Sequence, residues 1–270
     1  MARPLIASSS LRTYALLVRW CPALALAWGL LWPVGFELSP VVYAQTGTQA
    51  PANHPALNQA KRLIDTERAE EAITLLRRFL ATSPKPELLD DTYLLLGAAL
   101  YGAQQYGEAL KYLQQLQAEF PDSEVTDRGK LLQARTHAAM GNLDLALPIL
   151  TSVRNLSKDD GTKREALRLS GDFYAQKKDT THAIQAWLDE MALGTEDQSE
   201  DARTRIREFV NDTSDRKALE RIRETFPHSF PGDLASLRLI DLYVGRGEEH
   251  QAVRQIQQFL SSFPTHPQAA

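Results

Sequence analysis

Residues 93–121 decide the fold; they read YLLLGAALYGAQQYGEALKYLQQLQAEFP. Two apolar stretches with helical spacing flank a short polar break, and a proline closes the segment. The first stretch contains Gly97 and the second contains an alanine. That alanine recurs every 37 residues in similar surroundings. The copies are Ala72, Ala109, Ala146 and Ala183, and a further copy centres on Ala252.

The repeated pair of stretches predicts stacked helical hairpins. Gly97 and Gly171 place a small residue where the two helices of one hairpin cross, and the repeated alanines do the same on the second helix. Pro84, Pro121 and Pro264 stop second helices, because proline cannot continue one. Each hairpin leaves an apolar side uncovered, so neighbours must stack. The predicted fold is all-α, a right-handed α-solenoid of antiparallel helix hairpins.

The spacing of large and small residues resembles the tetratricopeptide repeat. The second copy carries the resemblance most fully, with Tyr93, Leu96, Gly97, Leu100, Ala109, Leu113, Leu116 and Pro121. The resemblance implies about six hairpins over residues 55–270. Two departures are Ile206 and Ile240, which stand where the motif has a small residue, so the later hairpins are expected to pack less regularly. The period also exceeds the motif's length of about 34 residues, which implies longer links between hairpins.

The first 44 residues have the composition of an export signal. Arg3, Arg12 and Arg19 precede an apolar run from Trp20 to Phe36, and Val42-Tyr43-Ala44 suits signal peptidase. We expect cleavage after Ala44, followed by a flexible linker over residues 45–54. An uncleaved membrane anchor is the alternative, although the run is shorter than the roughly 20 residues of a spanning helix.

Composition narrows the function classes. The chain has 30 Lys and Arg against 34 Asp and Glu, a net charge of −4, so no basic excess is available to neutralise nucleic acid. The single cysteine, Cys21, lies in the predicted leader, and no phosphate-binding, metalloprotease or serine-hydrolase motif occurs. Ser170 and His137 are expected to be packing residues. We therefore expect no enzyme activity, no cofactor and no metal site.

Three Phe-Pro segments indicate which groups of tetratricopeptide proteins the chain resembles. They are Phe120-Pro121-Asp122-Ser123, Phe226-Pro227-His228-Ser229 and Phe263-Pro264-Thr265-His266-Pro267. With the leader, they resemble the tetratricopeptide lipoprotein of outer-membrane protein assembly and the Tol-associated cell-division coordinator, or else the N-terminal half of penicillin-binding-protein activators. The resemblance implies an exported, periplasmic or envelope protein whose partners are other envelope proteins or peptides. Membrane association through a partner or an uncleaved leader, and self-association of the last hairpin, stay open.

The repeat also predicts a binding surface. In this motif the first helix of each hairpin lines the concave face, which places Tyr101, Arg128, Arg135, Arg168 and Asp172 in one groove. Arginine forks bind carboxylates, so we expect a partner segment with acidic side chains or a free C-terminus. The alternative is that these arginines pair with neighbouring acids such as Glu165. Two functions follow: a non-catalytic periplasmic scaffold for envelope assembly or peptidoglycan control, or a regulatory N-terminal module of a larger activator or receptor.

Overall fold

The computed structural model describes residues 54–269, which form twelve α-helices in six antiparallel hairpins. The helices are α1 (Pro55–Asp65), α2 (Ala69–Ala81), α3 (Leu89–Gly102), α4 (Tyr106–Glu119), α5 (Thr126–Ala139), α6 (Leu143–Leu156), α7 (Asp160–Gln176), α8 (Thr180–Leu193), α9 (Glu196–Asp212), α10 (Arg216–Thr225), α11 (Gly232–Gly245) and α12 (Glu249–Ser262). This part of the chain contains no strand. The all-α solenoid is confirmed, whereas the predicted leader, its cleavage after Ala44 and the linker up to residue 53 lie outside the described residues.

Helices pack closely against their neighbours along the chain, except for α9 and α10, and the first helices form a second set of contacts. Each helix from α1 to α8 contacts the next one along the chain. Among the first helices, α1 contacts α3, α3 contacts α5, and α5 contacts α7. The junction between the fourth and fifth hairpins differs. There α7 and α9 make almost no contact, and α8 packs against α10 instead. The stack therefore changes its packing between these two hairpins.

Five of the six hairpins turn through the same backbone conformation. A three-residue turn joins their helices, and its middle residue lies in the left-handed region, with φ between 59° and 80°. These middle residues are Glu67, Gln104, Gly141, Lys178 and Gly247. Only glycine adopts this region without a steric cost, so three hairpins accept some strain to keep the turn. The fifth hairpin turns at 213–215 without a left-handed residue.

Small residues do allow the close helix crossings that the sequence predicted. A Cβ atom on Gly97 would lie 2.7 Å from Leu113 Cδ2, and one on Gly171 would lie 2.3 Å from Trp187 Nε1. Both partners belong to the second helix of the same hairpin. In the fifth hairpin Ile206 is fully buried in the core cluster that also contains Trp187. Its larger volume is accommodated because α9 and α10 do not approach each other as closely as the two helices of the other hairpins do.

The extra residues of the longer period are not always in the links. Six or seven residues separate α2 from α3, α4 from α5 and α10 from α11. The links before α7 and α9 are only three and two residues long, and these two helices reach 17 residues each. The expectation of longer links is therefore wrong for the links that follow the third and fourth hairpins, because an extra helical turn in α7 and in α9 takes up the length.

Candidate functional site on the first-helix face

The first helices α3, α5 and α7 lie side by side and form a common surface, called here the first-helix face. All five predicted groove residues lie on these helices. Tyr101 lies in the last turn of α3, Arg128 and Arg135 lie two turns apart on α5, and Arg168 and Asp172 lie one turn apart on α7. Two turns of helix span about 10 Å, so the predicted groove residues divide into two clusters along this face.

Arg135 and Arg168 meet at one carboxylate, that of Glu165. Arg168 donates from Nε to Glu165 Oε2 (2.9 Å) and from Nη2 to Glu165 Oε1 (2.6 Å), and Arg135 forms an ion pair with the same group. Burial alone would raise the pKa of Glu165, but the hydrogen bond and charge of Arg168, together with Arg135, hold it below its ordinary value. The alternative that these arginines pair with Glu165 is thus what the structure shows.

Asp172 extends this arrangement toward the core. Arg168 Nη1 lies 3.5 Å from Asp172 Oδ2, and the indole Nε1 of Trp187 donates to Asp172 Oδ1 (3.1 Å). Burial raises the pKa of Asp172, and the charges of Arg168 and Arg205 oppose that shift. Trp187 is the residue that fills the space left by Gly171. The close helix crossing and the charged surface are therefore joined through one side chain.

Tyr101 and Arg128 also lie on the first-helix face, but they have different neighbours. The ring of Tyr101 packs near that of Tyr106, with centroids 5.8 Å apart. Burial raises the pKa of Tyr101, and the nearby charge of Arg135 opposes the shift, so Tyr101 borders the arginine pair. Arg128 instead acts on Asp91 of α3. Burial and the neighbouring Asp90 raise the pKa of Asp91, and Arg128 partly offsets the effect.

Two charged residues in this region were not singled out from the sequence. Arg205 of α9 donates from Nη1 to Glu190 Oε2 of α8 at 2.7 Å. Together with Arg135, Glu165, Arg168 and Asp172 they form the charge network, which holds three arginines and three acids. One signal was available: Glu190 follows Trp187 by three residues, at the position where the second and third copies have Leu116 and Val153.

Ser170 and His137 lie within the helical packing. Ser170 Oγ donates to the carbonyl oxygen of Ala166 (2.7 Å), and His137 Nδ1 is buried without a hydrogen-bond partner. Burial lowers the pKa of His137. Within residues 54–269 no three His, Cys, Asp or Glu side chains are grouped to bind a metal. Over the same range, no helix has the length and hydropathy needed to cross a membrane.

The stacked hairpins define an α-solenoid of the tetratricopeptide type. Residues 91–123, which cover most of α3 and all of α4, match the family model described as tetratricopeptide repeat. This is the second hairpin, the copy in which the motif is most complete. Solenoids of this type present extended surfaces for protein binding. No curated protein matches the chain in sequence.

Several solved structures share the arrangement at low identity. One contains nearly identical TPR-like repeats of a Podosopora anserina putative kinesin light chain; it is 15% identical, covers 76% of this chain and 92% of that one, and has a TM-score of 0.44. A second is the C-terminal part of a TPR repeat-containing protein from Cytophaga hutchinsonii. It is 12% identical, covers 79% of this chain and 97% of that one, and has a TM-score of 0.33. A third is the TPR2AB domain of yeast Sti1 in complex with pHSP90. It is 13% identical, covers 77% of this chain and 89% of that one, and has a TM-score of 0.35.

Proposed function

We propose that this protein is a non-catalytic scaffold of the bacterial cell envelope that holds a segment of a partner protein on its first-helix face. The observation that carries the proposal is the charge network. The side chains of Arg135 and Arg168 are partly exposed on the adjacent first helices α5 and α7, next to the half-buried ring of Tyr101. Tyrosine and arginine are the residue types that most often anchor protein interfaces.

The partner segment carries carboxylates, either as side chains or as a free C-terminus. Arginine binds such groups through two parallel hydrogen bonds, the geometry that Arg168 already makes with Glu165. A partner carboxylate would take the place of Glu165 on Arg135 or Arg168, so Glu165 holds both guanidinium groups in position until the partner binds. Arg128 adds a further positive charge two turns away from Arg135 on α5, and the same extended partner segment can reach it.

Export to the envelope is the second part of the proposal. It is supported by the basic and apolar leader of residues 1–44, by the cleavage motif at Ala44 and by the Phe-Pro segments that resemble envelope solenoids. Assembly of outer-membrane proteins and control of peptidoglycan synthesis or division are the two processes in which those relatives act. The mature protein or an anchored form would meet its partners in the periplasm.

Affinity capture from the periplasm, with mass spectrometry of the captured proteins, tests this function. The variant R128A/R135A/R168A removes the three predicted groove arginines from the first-helix face, and we expect it to lose most of the partner captured by the native protein. The matched control, R77A/R78A/K111A, removes three positive charges from the second helices α2 and α4 and should capture the partner normally. Equal capture by both triple variants would contradict the proposed surface.

The alternative function is a regulatory helical module within a larger activator or receptor. The exposed side of α12 favours it: Val253, Ile256 and Leu260 are 54%, 39% and 42% exposed and lie on one helix face. At the position of Ile256, the five earlier hairpins have residues that are at most 3% exposed: Leu76, Leu113, Leu150, Trp187 and Ile222. A coding sequence that continues beyond residue 270 into a ligand-binding domain would decide for this alternative.

A further inference from the structure

Glu190 is a buried acid at a position where the preceding hairpins have an apolar residue. It lies 37 residues after Val153 and twice that distance after Leu116, both of which are fully buried. Glu190 itself is only 5% exposed. A carboxylate at such a position is costly unless it is paired or protonated. The fourth hairpin therefore carries a charge that packing alone does not explain.

The ion pair of Glu190 connects two hairpins. Its partner, Arg205, belongs to α9, so the 2.7 Å hydrogen bond crosses the junction at which α7 and α9 separate. On α7, Arg168 attracts Glu190 and Asp172 repels it. The helix α10 also packs on α8. It contributes the apolar Leu219 and Ile222 to the core cluster that contains Trp187. Within α8, the neighbouring Asp189 accepts a hydrogen bond from Gln185 (2.8 Å).

We infer that the Glu190–Arg205 ion pair is a proton-controlled latch that regulates binding on the first-helix face. When Glu190 is ionised, it holds Arg205 and balances the charge network. When Glu190 takes up a proton, Arg205 loses its anion and the network gains one net positive charge beside Arg168 and Asp172. The inference rests on the proposed function, because the released charge attracts the carboxylates of the same partner segment.

The position of the latch lets it work near neutral pH. Burial raises the pKa of Glu190 to about 7, and the charges of Arg205 and Arg168 limit the rise. A bound partner carboxylate competes with Glu190 for Arg205, so binding is accompanied by proton uptake. By linkage, the partner then binds more tightly as the pH falls through this range. Glu165 stays ionised there, since its pKa lies below the ordinary value.

Binding of a synthetic peptide with several aspartates and a free C-terminus tests the latch by calorimetry. For the native protein we expect the Kd to fall about three- to tenfold between about pH 8 and about pH 6, with proton uptake shown by buffers of different ionisation enthalpy. Glu190→Gln imitates the protonated state, so it should bind tightly at both pH values. The matched control, Asp189→Asn, removes the adjacent charge and should keep the pH dependence.

An unfolding measurement tests the latch without any peptide. Between the ordinary carboxyl pKa and about 7 the folded protein binds more protons than the unfolded chain, so Glu190 makes native stability fall as the pH rises through that window. The stability of Glu190→Gln relative to native should therefore increase from about pH 5 to about pH 8. A constant difference, or the same peptide pH dependence in Glu190→Gln as in native, would overturn the latch. Absence of peptide binding at both pH values, with a pH-dependent stability difference, would overturn only the proposed peptide partner.

Discussion

The second and fifth hairpins share a plan but are built differently. In the second, Gly97 lets Leu113 approach the first helix, Gln104 makes a left-handed turn, and α3 packs beside α5. In the fifth, Ile206 occupies the position of the glycine, the turn has no left-handed residue, and α9 packs closely against neither α10 nor α7. The hairpin therefore tolerates a large residue at the crossing when its own two helices stay further apart.

Shortening the side chain at the fifth crossing should have the largest effect. Ile206→Ala gives the fifth hairpin the small residue of the motif, but Ile206 is fully buried among residues already placed to fit it. We expect a loss of about 3 to 4 kcal/mol from the lost burial and the cavity. Urea denaturation followed by circular dichroism measures it. An unchanged or higher stability would mean that the fifth hairpin relaxes to the regular crossing.

Adding a methyl group at the fourth crossing should cost somewhat less. In Gly171→Ala the new Cβ would lie 2.3 Å from Trp187 Nε1, so the indole must move and its hydrogen bond to Asp172 weakens. We expect a loss of about 2 to 3 kcal/mol. Trp187 is the one tryptophan outside the predicted leader, so its fluorescence reports the change directly. As a comparison, Gly97→Ala should cost less, because its new Cβ would come no closer than 2.7 Å to Leu113 and disturbs no hydrogen bond of that side chain.

The smallest effects are expected at the turns. Lys178→Gly relieves a left-handed residue with φ of 60° and should stabilise the protein by about 0.5 to 1 kcal/mol. Ser214→Gly changes the corresponding turn of the fifth hairpin, which has no such residue, and should give no gain because glycine only adds freedom to the unfolded chain. Thermal melting of the two variants side by side checks the contrast. A similar gain at both positions would show that the two turns do not differ.

The sequence predicted the hairpins because their determinants are local and repeated. The alanines at 37-residue spacing located the second helices, and Gly97 and Gly171 located two crossings correctly. The left-handed turns at Glu67, Gln104 and Lys178 were not evident, since these residue types show no preference for that conformation. Likewise, residues of adjacent hairpins meet only after stacking. The groove positions Arg135 and Arg168 could be placed on one face, but their common contact with Glu165 and the pairing of Glu190 with Arg205 depend on the junction geometry.

Site-specific photo-crosslinking tests whether the first-helix face binds the partner. A benzophenone amino acid replaces Tyr101 on α3 in one protein and the exposed Lys111 on α4 in another, and both are expressed in the native envelope. We expect a crosslinked partner from position 101 that disappears with the variant R135A/R168A, and no such product from position 111. A partner crosslinked from position 111 and not from position 101 would contradict binding on this face.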